Sequence, residues 1–231
     1  MNSKLNLKNS LNEAEDFAEL TASRLVYLGG SVTSRLPYSK DYLDIEEFFV
    51  EATNAVFSDT RLTRCLEYWV SRYGKYLSPS KIRTVLAKTD YDPRVLGYFI
   101  ELIDGEKFKR GPFKILNRFI KRGLKNEALF FHMPRPKVRD PVWEKYGLIA
   151  PVFNREEEEK NLKSMSYVVK NVPELKYRIM GMHIPVADIL AYLDRNGEAS
   201  LYRIAKETNT AYSRVHGVYQ KHVRPFQNAN V

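Results

Sequence analysis

Residues Ser200–His222 read SLYRIAKETNTAYSRVHGVYQKH, and the reading of this stretch decides the fold class. Ser200 is a side-chain acceptor ahead of a helix whose Leu201, Ile204 and Ala205 recur at three-and-four spacing and face inward. Ala205 is small, as needed where a second helix crosses close by. Thr208-Asn209-Thr210 makes a turn, with Asn209 able to adopt the left-handed backbone region and Thr210 expected to cap a second helix. That second helix turns Val215 and Val218 inward, with Tyr219 and His222 near that face. Ahead of the pair, Val186, Ile189, Leu190 and Leu193 form an amphipathic helix closed by Asn196-Gly197.

Three helices with a tight turn between the last two resemble the helix-turn-helix of winged-helix transcriptional regulators, over residues 185–222. The resemblance implies that the last helix enters the major groove of duplex DNA. Matched position by position, its outward residues are Ala211, Tyr212, Ser213, His216, Gly217 and Gln220, with Arg214 and Lys221 flanking toward phosphates. Arg, Gln and Ser side chains suit base edges and phosphate oxygens, and Gly217 lets the helix approach closely. Two departures stand out. Asn209 occupies the usual turn-glycine position, and only nine residues follow His222, too few for a β-hairpin wing. Val223-Arg-Pro-Phe226 is therefore expected as a strand or a docking strut, and the module as wingless or without DNA binding. Modules of this shape also serve as plain protein-docking domains.

Working toward the N-terminus, helical periodicity continues. Ile45, Phe48, Phe49, Ala52 and Val56 form one apolar stripe, and Leu62, Cys65, Leu66, Trp69, Val70, Tyr73 and Leu77 another. Ser78-Pro79, Asp92-Pro93 and Asp140-Pro141 each put a side-chain acceptor before a proline at a first helical position, and Gly111-Pro112 is a weaker start. Asn154 followed by Glu156–Glu159 predicts a helix to about Val172. Glu13–Val26 reads as a helix stopped by Leu28-Gly29-Gly30. Strand signals are confined to Tyr146–Phe153 and Tyr177–Ile184. The expected architecture is mainly α: a helical domain over 1–131, a Pro-rich connector over 132–153, and the helix-turn-helix module over 154–231.

The chain of 231 residues carries 37 Lys and Arg against 28 Asp and Glu, a net charge of +9. The charge is unevenly placed. Residues 105–139 hold eleven basic residues against Glu106 and Glu127, whereas Asp41–Thr60 holds six acids and no Lys or Arg. Read as an α-helix, Lys114, Arg118, Lys121, Arg122 and Lys125 fall within an arc of about 100°, opposite Phe113, Leu116, Phe119, Ile120 and Leu124. Like charges at i,i+4 cost a few tenths of a kcal/mol each, on the order of 0.2–0.5. A single-sign stripe thus points to phosphate neutralisation. The competing reading is a solvated face, or one paired with the acidic Asp41–Asp59 segment in cis or across a dimer.

Other chemistry is not signalled. The longest apolar run, Ile189–Leu193, is far short of a membrane span, and Met1–Lys8 is mostly polar with no apolar stretch behind it, so a cytoplasmic protein without a membrane partner is expected. The single Cys65 sits on an apolar stripe and reads as core. His132, His183, His216 and His222 are scattered, and no P-loop, Gly-x-Ser-x-Gly or metal-spacing motif occurs. Neither an enzyme nor a cofactor or metal site is expected. These readings converge on a DNA-binding transcriptional regulator, with a homodimer expected because two-fold proteins suit palindromic half-sites. A helical adaptor docking an acidic protein partner, as in a defence or toxin–antitoxin complex, and an RNA-binding protein are the alternatives.

Overall fold

Asp59, Ser78, Asp92 and Asp140 each place a side-chain oxygen beneath the first turn of a helix, and these caps punctuate the first half of the chain. The structure is a computed structural model that describes residues 2–38, 41–57, 59–105, 111–123, 127–128, 136–152 and 154–224. It is mainly helical and divides into two units, Met1–Tyr38 with Glu46–Ser164, and Ser39–Ile45 with Met165–Val231. In chain order the first contains α1 (Asn2–Tyr27), α2 (Ile45–Ala55), α3 (Thr60–Tyr73), α4 (Pro79–Val85), α5 (Pro93–Asp104), a 3-10 helix (Pro112–Phe119), β1 (Glu127–Ala128), α6 (Pro141–Lys145), β2 (Leu148–Ile149) and α7 (Glu158–Asn161). The second contains α8 (Met165–Asn171), α9 (Pro173–Ile179), α10 (Ile184–Asn196), α11 (Leu201–Glu207) and α12 (Tyr212–Val218).

In the first unit the predicted stripes on α2 and α3 are buried, with Phe48 edge-on to Trp69 at 5.4 Å between ring centroids. Proline occupies the first turn at all three side-chain-capped X-Pro starts, where its missing N–H removes nothing from the helix. Asp92 shows the geometry: its Oδ1 accepts from the backbone N–H of Arg94 at 2.7 Å and of Val95 at 3.1 Å.

The Pro-rich stretch, expected as an extended connector with about one turn of helix, has that turn as α6 but is packed into the first unit and does not link two domains. Its described part carries α6 and β2, and Trp143, Tyr146, Leu148, Ile149 and Ala150 are buried in the first unit. Trp143 stacks on Tyr98 with centroids 3.6 Å apart. The chain division falls between Ser164 and Met165, so residues 154–164 belong to the first unit, and the single helix expected over 154–172 is three short ones. The Tyr146–Phe153 strand signal yields only the two residues of β2, paired in parallel with β1. The Tyr177–Ile184 signal yields no strand: it spans the end of α9 and the start of α10. Pro173 at the start of α9 sets a new helix where the alternating pattern alone reads as extended.

The second unit has its own core of Ile189, Tyr192, Ile204, Val215 and Val218, with Val186, Leu193, Leu201 and Ala205 packed against it. Residues 41–45 complete it. Tyr42 packs on that cluster and against Tyr192, and the buried Leu43 donates its backbone N–H to Glu174 Oε1 at 3.2 Å. Charges behind this core are paired. Arg178 Nε and Nη2 both donate to Asp188 Oδ1, at 3.1 and 2.6 Å, with both side chains buried. Lys176 and Arg195 pair with Asp194 and Glu174.

Candidate nucleic-acid interface

α11 and α12 carry the site. Ser200 Oγ accepts from Arg203 N at 3.2 Å and starts α11. Its inner residue, Ile204, is fully buried, and Thr208 closes the helix with its hydroxyl donating to the Ile204 carbonyl at 2.7 Å. Asn209 takes the left-handed turn at φ 50°, a conformation that asparagine tolerates better than most residues. Thr210 is not the cap of the next helix. That place is taken by Ala211, which has no side-chain acceptor, and Thr210 donates to the Thr208 carbonyl instead. The N-terminal N–H groups of α12 are thus left without a side-chain acceptor from the cap residue.

With Val215 and Val218 buried, Tyr212, Ser213, Arg214, His216, Gly217, Gln220 and Lys221 are all solvent-exposed, as is Ala211. The helix does not end at Val218. It continues as a π-helical turn over Tyr219–Val223 with Arg224 still helical, so among the described residues no strand or wing comes after α12. Val223 is therefore helical rather than the start of a strand; Pro225 and Phe226 lie outside the described residues. The wider turn swings Gln220 and Lys221 away from strict α spacing with Tyr212–Gly217. Arg224 Nη1 reaches back to donate to Gln220 Oε1 at 2.9 Å.

Electrostatics single out this end of the unit. Residues 200–224 hold Arg203, Lys206, Arg214, Lys221 and Arg224 against Glu207 alone. None of the five has an acid partner among the described residues, whereas Lys176, Arg178 and Arg195 on α9 and α10 all do. Tyr202, Arg203 and Lys206, exposed on the outer side of α11, extend the face beyond the residues expected from the sequence. Their signal was present: they sit opposite Leu201, Ile204 and Ala205 on one short helix. Gly217 lies in open space, with nothing within 4 Å of an added Cβ. No family model, curated protein or solved structure matches this chain.

The basic stripe of the first unit has another geometry than an α-helix. Phe113, Leu116 and Phe119 are three apart, the period of a 3-10 helix, and Pro112–Phe119 takes that form with Phe113 and Leu116 buried. Lys114 and Arg118 are then about 120° apart rather than stacked, both exposed. Lys121 and Arg122 come next in an extended run that Lys121 N ties to the Pro93 carbonyl at 3.1 Å. Gly123 passes so close to α6 that an added Cβ would lie 2.6 Å from the Tyr146 carbonyl oxygen. Only glycine permits so close an approach at this position. Lys125 lies outside the described residues.

Three acids of the Asp41–Asp59 segment are placed by contacts elsewhere in the first unit. Glu46 takes Lys81 at 3.3 Å and the Ser78 N–H, Glu51 takes Arg24, and Asp59 caps α3. Cys65 is core, as its position on α3 predicts: its thiol is buried, pushed up to about 12 by that burial, and donates to the Asn161 carbonyl. Among the described residues no three His, Cys, Asp or Glu lie together as a metal-holding set, and no helix is long and apolar enough to cross a membrane. His132 lies outside the described residues.

Proposed function

We propose that this chain is a duplex-DNA-binding protein, a transcriptional regulator that reads base edges with α12 as the second helix of a helix-turn-helix. The observation that carries this reading is the segregation of charge in the second unit. Ion pairs form wherever acids are present on α9 and α10, while α11, α12 and the turn after it present five cations with no acid partner among the described residues, around a row of short polar groups. Phosphates supply the missing counter-charge, and Ser213, His216 and Gln220 supply donors and acceptors for base edges. The exposed Tyr212 offers an apolar ring to a thymine methyl.

Gly217 gives a test that separates fold from function. A glycine inside a helix costs about 0.5–1 kcal/mol relative to alanine, and no packing contact requires it here. Gly217→Ala is therefore expected to raise the melting temperature slightly and, if α12 lies against DNA, to weaken duplex binding. A gain in stability with unchanged affinity would remove α12 from the groove.

The chemistry of the reading itself is tested by Arg214→Ala with Gln220→Ala. In a selection from random duplexes the pair should alter the preferred sequence, because each good base contact is worth about 1–3 kcal/mol of discrimination. An unchanged preference with duplex affinity intact would reassign the face to backbone contact only. Absence of duplex binding at low salt would leave a docking module for an acidic protein.

A further inference from the structure

We infer that α4 and the 3-10 helix together form a second phosphate-binding face, which grips the backbone of duplex DNA through Arg83 and Lys88 as well as Lys114, Arg118, Lys121 and Arg122. This inference rests on the DNA-binding reading above and adds to it a surface on the first unit.

The two elements pack on each other, each with its apolar side buried: Ile82 and Val85 on α4, Phe113 and Leu116 on the 3-10 helix. Their solvent sides therefore adjoin. Arg83 and Lys88 are exposed on and just after α4, and Lys114 and Arg118 are exposed on the 3-10 helix. The tie from Lys121 N to the Pro93 carbonyl holds Lys121 and Arg122 next to this pair of elements, at the start of α5, which also packs on the 3-10 helix.

Counter-charge is scarce here. Residues 79–91 and 111–123 contain seven cations and a single carboxylate, Asp90. Only Lys81 among the seven is taken, by Glu46. The other six have no acid partner among the described residues, although the same unit pairs Arg24, Arg64, Arg94, Arg139 and Lys145 with acids.

The composition of the face decides between a polyanionic backbone and an acidic protein. A protein interface is built around buried aromatic or aliphatic anchors. Here the exposed residues between the cations are Ser80, Thr84, Ala87, Asp90, Pro112, Asn117 and Ile115, so Ile115 is the one large apolar side chain exposed among them and no aromatic is. Cations spread over three elements with small polar groups between them suit an array of phosphates, which demands charge rather than a shaped pocket.

The test is anisotropy titration of the full chain with a random-sequence duplex between 50 and 200 mM salt, about the range over which such contacts are resolved. Each neutralised phosphate adds about 0.9 to the slope of log affinity against log salt. Arg83→Ala with Lys88→Ala should lower the slope by about 1.8, so the loss of affinity over that range shrinks about tenfold, equally for every sequence. Lys114→Ala with Arg118→Ala should do the same, and Arg83→Lys with Lys88→Arg should keep the wild-type slope. Wild-type binding with a slope unchanged in both alanine pairs would overturn this face while leaving α12 as the reader. No wild-type binding to duplex at low salt would overturn the DNA reading itself, and this face with it.

Discussion

Glu67→Ala is expected to cost the first unit about 3–5 kcal/mol, a large share of the stability of a domain of this size. Glu67 is fully buried on α3, with Oε1 accepting from the Tyr98 hydroxyl at 2.8 Å and from the Trp143 indole N–H at 2.9 Å, while Oε2 takes Arg64 at 2.9 Å. Truncation leaves all three donors without their acceptor and opens a void beneath the Tyr98–Trp143 stack. Burial pushes the Glu67 carboxyl up to about 7, against the lowering effects of Arg64 and the two hydrogen bonds. The folded state therefore holds the Glu67 proton more tightly than the unfolded chain does. Its contribution is complete below the ordinary carboxyl value of 4.5, falls as pH rises toward about 7, and is level above that. The fall is on the order of 3 kcal/mol. Both tryptophans, Trp69 and Trp143, lie in the first unit, so tryptophan fluorescence in denaturant titrations at pH 5, 6, 7 and 8 reports on this unit. Glu67→Gln should flatten the pH dependence, and a slope that persists in that variant would exclude Glu67 as its source.

Arg178→Met, with Asp188 left in place, is expected to destabilise the second unit by about 3–5 kcal/mol, because a buried carboxylate loses its cation. Removing both charges is a different matter. Arg178→Met with Asp188→Leu should recover most of the loss, since a buried pair often contributes little beyond an apolar pair of similar volume. Duplex binding serves as a second readout: the single variant should lose it together with helical circular dichroism, and the double variant should regain both. A double variant no more stable than the single one would show that the pair specifies the packing of α9 on α10.

Helical spacing and caps made much of this fold legible. The apolar stripes of α2 and α3, the X-Pro starts and the inner residues of α11 and α12 stand in the sequence because each lies within one element, whereas on α10 the expected stripe holds Ile189 but includes the half-buried Leu190 and misses the core Tyr192. The features that escaped such reading depend on partners distant in the chain. Phe113, Leu116 and Phe119 fit a 3-10 as well as an α-helical period, and the packing of this segment on α4 and α5 involves residues distant in the sequence. Trp143 sits among prolines that read as a connector, and its burial depends on Tyr98 and Glu67, partners 45 and 76 residues away. Glu67 is one charge within an apolar stripe, with nothing local to mark it as buried. On the candidate interface, the exposed residues of α12 can be deduced from its two inner valines. Arg203 and Lys206 required α11 to be read as a surface as well as a support, and Arg83 and Lys88 required knowing the packing of α4.

The short strap at residues 41–45 also bears on how the protein is made. Tyr42 and Leu43 leave the ribosome well before Met165–Val218, the helices whose core they complete. At the usual pace of synthesis, ~5–20 residues per second, that wait is on the order of ten seconds. During it an apolar tyrosine–leucine pair has no place to pack, so the nascent chain presents a transient holdase site whose occupancy should rise when translation is slowed downstream of α2.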